Sequence, residues 1–340
     1  MVMAAGVGSR LDPLTTQLPK PLVPVANRPV MQHILALLKD HGIEDVISNL
    51  HYLPEKIQRY FGDGSAFGVN LEFRTEKELS GDAGGVRACR DFLGQDTFIV
   101  LMGDLLTDAD LAKMVAEHKR KKALASIAVK QVADVSQFGV ALFDKDGFIY
   151  GFQEKPLASE ALSNFASTGI YILEPAVFDY MPLLGTYGFG RQLFPMLLER
   201  GLPVLAIEIE NYWSDVGTIN QYKNSNFDAL SGQVKWRQHL EDGAHLEPGV
   251  SIEGHLFMGK GSRIGRGTEI KGHVVIGDNC VIDNNVLLED TIIWPSSHVQ
   301  RGARLVNCVV GAECIVSNGA SYVEMATVTS TPPFFAPSSR

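Results

Sequence analysis

The 340-residue sequence has few cysteines, no long apolar run and no excess of basic residues. Its four cysteines show neither Cys-x-x-Cys spacing nor a histidine at metal-ligand intervals, so we expect reduced thiols in or near the core. No stretch of about eighteen apolar residues is available for a membrane-spanning helix, and the N-terminus lacks the basic-then-apolar order of a signal peptide. These absences predict a cytoplasmic protein with no membrane partner.

The charge balance argues against a nucleic-acid partner. The formal net charge is −9, whereas proteins that bind phosphate backbones cluster Lys and Arg on one surface. The single basic run, Lys119-Arg120-Lys121-Lys122, follows a predicted helix from about Asp110. We interpret it as a solvated helix end whose charge complements the helix dipole.

The length and the apolar pattern predict two domains. A chain of this size exceeds one ordinary hydrophobic core. Over residues 1–230, short apolar runs alternate with amphipathic helical stretches, which predicts a doubly wound α/β domain with a mostly parallel, Rossmann-like sheet. The polar residues 231–249 are predicted to form a linker.

A six-residue repeat distinguishes the C-terminal region. Aliphatic or aromatic residues recur at every sixth position, at Ile252, Met258, Ile264, Ile270, Ile276, Ile282, Leu288 and Trp294. This period fits neither a helix nor an alternating strand, and it predicts a left-handed β-helix of hexapeptide repeats over residues 250–323, with these side chains inside. The register is expected to slip at Gln300, after which Val299, Leu305, Val309 and Ile315 carry the shifted phase. Residues 324–340 are predicted to form a flexible tail.

The N-terminus carries a glycine-rich segment with two cationic side chains. The short apolar strand at the start is followed by Ala5-Gly6-Val7-Gly8-Ser9-Arg10, and Lys20 stands between two prolines. Glycines let backbone N–H groups approach an anion, and Arg10 and Lys20 supply charge to offset it. This combination suits a nucleoside triphosphate.

The complete pattern, with Pro13-Leu14-Thr15 and Pro19-Lys20-Pro21 at these intervals, resembles the signature of sugar-1-phosphate nucleotidyltransferases. In that family the phosphate of a sugar 1-phosphate attacks the α-phosphorus of a nucleoside triphosphate and releases pyrophosphate. The resemblance implies a nucleotide site at Ala5, Gly6, Gly8, Ser9 and Arg10. It also implies catalytic roles for Arg10, Lys20 and Asp104.

The resemblance further implies a magnesium ion held by two carboxylates. Asp104 follows the apolar run Phe98-Ile99-Val100-Leu101-Met102, and Asp215 lies in Trp213-Ser214-Asp215-Val216-Gly217. Both match aspartate positions of the family. Mg²⁺ prefers one or two carboxylates and completes its shell with phosphate oxygens and water. We also expect Asp104 to converge with the glycine segment at the carboxyl edge of the sheet.

The expected sugar-phosphate site lies in the second half of the α/β region. Glu154-Lys155-Pro156 matches the family element in which the lysine contacts the sugar phosphate and the glutamate contacts sugar hydroxyls. Gly139 and Ser167-Thr168-Gly169 are assigned to the same site. Ser167 replaces the asparagine that many relatives carry there.

Two further positions bear on nucleotide binding. Gly81-Asp82-Ala83-Gly84 resembles the family turn that closes over base and sugar, but Asp82 stands where a threonine or serine is usual. Glu76 is assigned to the base edge, because one carboxylate accepts from both N1–H and N2–H of guanine. A solvated Glu76 with no role is the open alternative.

Several alternatives stay open at this stage. The preferred substrates are GTP and mannose 1-phosphate, and the alternative pair is UTP or dTTP with glucose 1-phosphate. A catalytically silent regulatory homologue is the first rival. An acyltransferase site at His255, His273 or His298 is the second, and a coil-edge position explains these histidines better. The β-helix is expected to join subunits into a homodimer or a higher oligomer.

Overall fold

The computed structural model describes residues 1–235 and 245–328, and they pack as two compact units. The first unit contains Met1–Gly6 and Ile34–Trp213, and the second combines Val7–His33 with the described chain from Ser214 onward. The segment Val7–His33, which we call the signature segment because it carries Gly8, Arg10 and Lys20, therefore packs with the C-terminal region. The predicted domain limit at residue 230 stays a prediction. The predicted linker and tail fall partly on residues 236–244 and 329–340, outside the described residues.

The first unit is built on a nine-stranded sheet. Seven strands follow one another across it in the order Ile149–Glu154, Gly139–Phe143, Phe165–Leu173, Phe98–Met102, Val2–Ala4, Asp45–Leu50 and Asn70–Thr75. The remaining two, Ala125–Gln131 and Val204–Glu208, extend the sheet beside Phe165–Leu173. The α-helices within residues 1–235 and 245–328 are Val30–Asp40, Pro54–Phe61, Asp82–Arg87, Arg90–Leu93, Leu111–Lys121, Phe194–Glu199 and Ile219–Leu230. The predicted α/β fold is confirmed.

The centre of this sheet is parallel. Val2–Ala4 pairs in parallel with Asp45–Leu50 on one side and with Phe98–Met102 on the other. Antiparallel pairs appear where Phe165–Leu173 joins Phe98–Met102 and Ala125–Gln131. Continuous apolar strands such as Phe98–Met102 are buried on both faces, as central parallel strands require.

The second unit contains stacked parallel strands between His245 and Thr327, which we call the parallel-strand region. One row contains Ser251–Met258, Glu269–Ile276, Leu287–Ile293, Arg304–Val306 and Ser321–Val323. A second row contains His245–Leu246, Arg263–Ile264, Val281–Ile282, His298–Val299 and Ile315–Val316, and a third pairs Val309–Val310 with Ala326–Thr327. Every pair within the rows is parallel. The left-handed sense of the predicted β-helix stays a prediction.

The predicted register of this region is wrong at Trp294, Val309 and Ile315, whereas the predicted inward positions Val299 and Leu305 are confirmed. Ile276 pairs with Ile293, not with Trp294, and Ile293 pairs with Val310. The spacing of inward residues therefore shortens from six to five between Leu288 and Ile293, well before the predicted slip at Gln300. Asp290 lies in this shortened turn with φ 43°.

Leu305 and Val310 are likewise five residues apart, and three predicted side chains lie outside the core of the parallel-strand region, although Trp294 and Val309 are still buried. Ile293, Val310 and Val316 fill the core of the parallel-strand region, whereas Ile315 is 68 % exposed. Successive residues of a strand point to opposite faces, so Trp294, Val309 and Ile315 are each one position out of phase. Ile252 is also 45 % exposed, because the row that contains it ends at its strand.

The cysteine prediction is confirmed, since Cys89, Cys280, Cys308 and Cys314 are all free and buried. Burial raises the pKa of the Cys89 thiol to about 12 and that of Cys280 to about 11. No helix in the described part of the chain has the length and the apolar character needed to cross a membrane.

Candidate active site

The carboxyl edge of the parallel strands holds the first group of predicted site residues. Met3 pairs with Met102 in neighbouring parallel strands, so Ala5-Gly6 and Gly103-Asp104 leave the sheet at the same edge. The Gly103 amide donates to the Met3 carbonyl at 2.8 Å. The structure therefore places Asp104 beside the start of the glycine segment, as the sequence predicts.

Glu76 is held by groups of the protein itself. It is 9 % exposed, and its Oε1 accepts a 2.6 Å hydrogen bond from the Asn49 amide. Its Oε2 accepts from the backbone N–H of Ser80 at 3.2 Å and from the Ser80 hydroxyl. Both carboxylate oxygens therefore have partners within the protein. Because each carboxylate oxygen can accept two hydrogen bonds, Oε1 keeps the capacity for one further donor. The solvated alternative does not describe this side chain, because it is buried.

Gly81 forms the turn that the sequence assigns to the nucleotide. Its φ is +82°, and a Cβ there would lie 2.5 Å from the Tyr187 carbonyl oxygen. Only glycine combines this conformation with this close approach. The Gly84 amide donates to the same Tyr187 carbonyl at 2.9 Å, so the turn is fixed against the segment that precedes Phe189.

Asp82 begins the Asp82–Arg87 helix, and its carboxylate has a structural explanation. Asp82 Oδ1 accepts 2.7 Å hydrogen bonds from the backbone N–H groups of Ala83 and Phe189. The carboxylate thereby joins the N-terminus of this helix to the backbone at Phe189. A shorter threonine or serine side chain is less suited to bridge these two amides. Burial nevertheless raises the Asp82 pKa, against the effect of these two hydrogen bonds.

Glu154 and Lys155 end an edge strand close to Asp82. Glu154 pairs with Gly139 in the neighbouring strand, so two predicted sugar-site positions lie side by side. Burial raises the Glu154 pKa, and the Asp82 carboxylate adds to this, while Lys155 and Arg191 oppose it. Lys155 itself is exposed. Two carboxylates with raised pKa and two cations therefore share this part of the first unit.

Ser167, Thr168 and Gly169 lie at an irregularity in the strand Phe165–Leu173. The pairing with Ala125–Gln131 shifts register between Ser167 and Tyr171, and such bulges commonly redirect side chains near active sites. The Ser167 hydroxyl lies 3.4 Å from the Tyr171 hydroxyl. The Thr168 hydroxyl donates to the Ala128 carbonyl at 2.9 Å, so it is committed to the sheet.

The second unit carries the rest of the predicted nucleotide site. Gly8 has φ +77°, and a Cβ there would approach the Lys20 Cβ to 3.1 Å. The Thr15 hydroxyl lies 2.9 Å from the Gly8 carbonyl and 3.0 Å from Asp12 Oδ1. Ser9 and Arg10 open a 3-10 helix, Ser9–Leu11, and both are exposed. The segment thus presents Arg10 outward and packs against Lys20.

Lys20 and Asp215 form an ion pair in the second unit. Lys20 Nζ lies 3.6 Å from Asp215 Oδ1, and the side chains are only 10 % and 17 % exposed. The Gly217 amide donates to the Asp215 carbonyl at 2.8 Å, which fixes the turn before the Ile219–Leu230 helix. Carboxylate oxygens are ligands that Mg²⁺ prefers, so Asp215 is of the residue type that could hold this ion.

Sequence reasoning missed Asn49 and Tyr171. Asn49 is buried near the end of Asp45–Leu50, donates to Glu76 and accepts from the Ala4 N–H at 3.1 Å. Tyr171 packs against Phe189 with ring centroids 4.6 Å apart. The polar residues Ser48 and Asn49, between apolar residues of the strand Asp45–Leu50, were the signal available for Asn49. Tyr171 had no comparable signal, because a buried tyrosine is also an ordinary core residue.

The three histidines considered for an acyltransferase site contact neighbouring turns of the parallel-strand region. The His255 and His273 rings stack with centroids 5.2 Å apart, and His273 Nε2 lies 3.0 Å from the Ser231 hydroxyl. His298 Nε2 lies 3.1 Å from Asp283 Oδ1. These contacts agree with coil-edge positions. Among the described residues, no group of three or more His, Cys, Asp or Glu side chains is arranged to hold a metal ion.

Comparison with known proteins gives two family matches. Residues 1–232 match the family model described as nucleotidyl transferase, and residues 252–331 match that of the GMPPB C-terminal domain. A UTP–glucose-1-phosphate uridylyltransferase from Synechocystis is 40 % identical over 69 % of this chain and 64 % of its own length. A mannose-1-phosphate guanylyltransferase from Mycobacterium tuberculosis is 33 % identical over 68 % of this chain and 64 % of its own length.

A solved structure supports the same conclusion. A protein assigned as a glucose-1-phosphate thymidylyltransferase from Bacillus anthracis superposes with a TM-score of 0.62 and 30 % identity, over 70 % of this chain and 96 % of that one. The matched part of the two sequence relatives amounts to less than two thirds of their length. With the family match covering more than half of its residues, the chain belongs to the nucleotidyl transferase family.

Proposed function

We propose that the protein transfers a nucleotidyl group from a nucleoside triphosphate to a sugar 1-phosphate and releases pyrophosphate. The observation that carries this proposal is the buried Lys20–Asp215 ion pair, whose lysine side chain packs against Gly8. A lysine held under a glycine turn, with exposed Arg10 on the same segment, supplies fixed positive charge to a polyphosphate. Such charge lowers the barrier when negative charge develops on a leaving pyrophosphate.

The proposed roles divide along the two units. In the second unit, Gly8, Ser9, Arg10 and Lys20 bind the triphosphate. In the first unit, exposed Lys155 binds the attacking phosphate and Glu154 accepts from sugar hydroxyls. No protein side chain forms a covalent bond in this scheme, so positioning and neutralisation of charge supply the rate enhancement.

We propose that Asp104 and Asp215 bind Mg²⁺, because carboxylates are the ligands this ion prefers. The ion would neutralise charge on the nucleotide phosphates. Removing divalent cations with a chelator is expected to abolish pyrophosphate release, and added Mg²⁺ to restore it. Asp104→Asn is expected to raise the Mg²⁺ concentration needed for half-maximal rate by about tenfold or more. Full activity in the chelator would exclude this role.

For the substrates we propose GTP and mannose 1-phosphate. The match of the C-terminal residues to the GMPPB model and the guanylyltransferase relatives support this pair. The assignment of Glu76 to the base edge stays a prediction, and its carboxylate already accepts hydrogen bonds from Asn49 and Ser80. UTP with glucose 1-phosphate is the second candidate, favoured by the 40 % identity to the uridylyltransferase.

Pyrophosphate release from each common nucleoside triphosphate, paired with mannose, glucose and galactose 1-phosphates, tests the proposal. GTP with mannose 1-phosphate is expected to give the highest kcat/KM, by about tenfold. Faster turnover of UTP would transfer the assignment to the second candidate. Lys20→Met serves as the inactive control, and no release with any pair would favour the regulatory homologue.

We also propose a homo-oligomer formed through the parallel-strand region. Ile315 and Val323 near its C-terminal end are 68 % and 60 % exposed, and large apolar side chains at this exposure favour contact with another subunit. The double variant Ile315→Asp, Val323→Asp is expected to lower the mass measured by light scattering. Leu183→Asp, at an exposed apolar residue of the first unit, is the control. Equal masses for all three proteins would contradict the proposal.

A further inference from the structure

Trp294 connects the parallel-strand region to the helix Ile219–Leu230. Its indole N–H donates a 2.7 Å hydrogen bond to the Tyr222 hydroxyl, and the two rings meet edge to face with centroids 6.3 Å apart. Both side chains are fully buried. The shortened turn between Leu288 and Ile293 is what turns this tryptophan from the core toward the helix.

The same hydroxyl continues the connection to the signature segment. Tyr222 donates to the Pro24 carbonyl at 2.8 Å. One turn further along the helix, the side-chain Oδ1 of Asn226 accepts from the Ala26 N–H at 2.9 Å. Two hydrogen bonds from one helix therefore fix the backbone just after Lys20.

Direct contacts from the parallel-strand region support the same segment. The Asn27 amide donates to Asp278 Oδ1 at 2.8 Å, and Lys223 Nζ donates to Asn307 Oδ1 at 2.7 Å, which ties the helix to a turn of that region. Leu14 and Leu18 line a small cavity together with Trp294. The segment that carries Lys20 thus rests on the parallel-strand region through apolar and polar contacts.

We propose that Trp294, acting through the Tyr222 hydroxyl, is a positioning residue that fixes the segment Val7–His33 and with it Lys20. A buried indole N–H needs a partner, and here the partner is the same hydroxyl that fixes the Pro24 carbonyl. The parallel-strand region is then part of the nucleotide site's support as well as a surface for assembly. The catalytic consequence rests on the proposed function, whereas the positional consequence does not.

Trp294→Phe and Tyr222→Phe test the proposal, because each keeps an aromatic ring and removes one hydrogen-bonding group. Ser297→Ala is the matched control. Its buried hydroxyl donates to the Gly311 carbonyl at 2.7 Å and accepts from the Cys314 N–H, within the parallel-strand region. The control removes two buried hydrogen bonds within the parallel-strand region and none to the helix Ile219–Leu230.

The positional readout is amide hydrogen exchange. Val23 N–H donates to the Lys20 carbonyl and Ala26 N–H donates to Asn226. Both amides are expected to exchange about tenfold faster in the two phenylalanine variants. Exchange in the strand Phe98–Met102 should stay as in the unaltered protein. Equal exchange at Val23 and Ala26 in Trp294→Phe and Ser297→Ala would overturn the proposal.

The catalytic readout separates positioning from lost stability. Well below the unfolding temperature, kcat is expected to fall about tenfold or more in both phenylalanine variants, since small displacements of a catalytic group are costly. The KM for the sugar 1-phosphate should change by less than about twofold, and Ser297→Ala should keep its kcat. An unchanged kcat in both phenylalanine variants would also overturn the proposal. Faster exchange in the phenylalanine variants, together with no transferase activity in the unaltered protein, would instead refute the proposed function alone.

Discussion

Lys20 Nζ lies 3.6 Å from Asp215 Oδ1, which joins two motifs from opposite ends of the α/β sequence. Each residue was assigned to a different substrate group by resemblance, Lys20 to the triphosphate and Asp215 to the metal ion. Their pairing places a fixed cation and a fixed anion next to each other with little solvent. The two charges stabilise one another before any substrate is bound, so the site is preorganised.

Lys20→Met is expected to lower kcat/KM by about 100-fold or more, because it removes the charge that offsets the leaving pyrophosphate. It should also lower the free energy of unfolding at neutral pH by about 2 kcal/mol, since Asp215 keeps its burial and loses this cation. Steady-state kinetics and urea unfolding measure the two effects. Adding Asp215→Asn to Lys20→Met should restore most of the stability and none of the activity. If Lys20→Met alone stays within about threefold of the normal kcat/KM, Lys20 is excluded from catalysis.

Gly81→Ala is expected to be about 2 kcal/mol less stable than Gly201→Ala. Both glycines have positive φ, at +82° and +66°, but a Cβ at position 201 meets no atom within 4 Å, whereas one at position 81 would collide with the Tyr187 carbonyl. Gly201→Ala therefore measures the conformational strain alone, and the additional loss in Gly81→Ala measures the collision with Tyr187. Urea denaturation of both variants gives the comparison, and equal losses would mean that Tyr187 can move away.

Asp82→Asn is expected to become more stable relative to the unaltered protein as the pH rises. Because the Asp82 pKa is raised in the folded state, the folded protein holds this proton more tightly than the unfolded chain. Stability from this group therefore falls as pH rises above the ordinary value and through the folded pKa. Asparagine removes this loss and can still accept from Ala83 and Phe189.

Urea unfolding from about pH 4 to about pH 7 measures this pH dependence. Asp134→Asn is the control, since hydrogen bonds from Ser136 lower the Asp134 pKa. Because the Asp134 pKa is lowered and not raised, Asp134→Asn is not expected to gain stability relative to the unaltered protein as the pH rises over this range. A stability difference for Asp82→Asn that is constant with pH would show that the carboxyl titrates normally.

Lys155→Gln is expected to raise the KM for the sugar 1-phosphate by about tenfold or more and to leave the KM for the nucleotide within about twofold. The reason is that Lys155 is an exposed cation beside Glu154 in the first unit and is proposed to bind the attacking phosphate. Lys145→Gln removes the same charge from another exposed position of that unit and should change neither constant. A rise in the nucleotide KM alone would reassign Lys155 to the triphosphate.

Local sequence determined the class of each part of this protein. Alternating apolar runs and amphipathic helices specify an α/β sheet, and an apolar run ended by Gly103-Asp104 specifies a buried strand with a polar end. The glycines at positions 8 and 81 adopt the positive φ that their motifs require. Each of these features depends on neighbouring residues, so short-range patterns were sufficient to predict them.

The register of the parallel-strand region shows where such patterns fail. A six-residue period extrapolated to Trp294, and the shifted phase was expected to continue at Val309 and Ile315. The inward residues Leu288 and Ile293 are instead five apart, as are Leu305 and Val310. Both phases offer apolar residues there, so only the pairings of Ile276 with Ile293 and of Ile293 with Val310 decide between them.

The tertiary structure alone decided how the site residues are held. Asp82 is an unexplained carboxylate in the sequence and a bridge between two backbone amides in the fold. Glu76 is one of three charged residues in a predicted loop, yet Asn49 and Ser80 occupy both of its oxygens. Lys20 meets Asp215, and Trp294 reaches Tyr222, across long separations in sequence. Such contacts depend on how distant elements pack, whereas turn conformation and strand burial depend on adjacent residues. The sequence alone therefore determined the turns and the buried strands, and the tertiary structure decided which side chains meet.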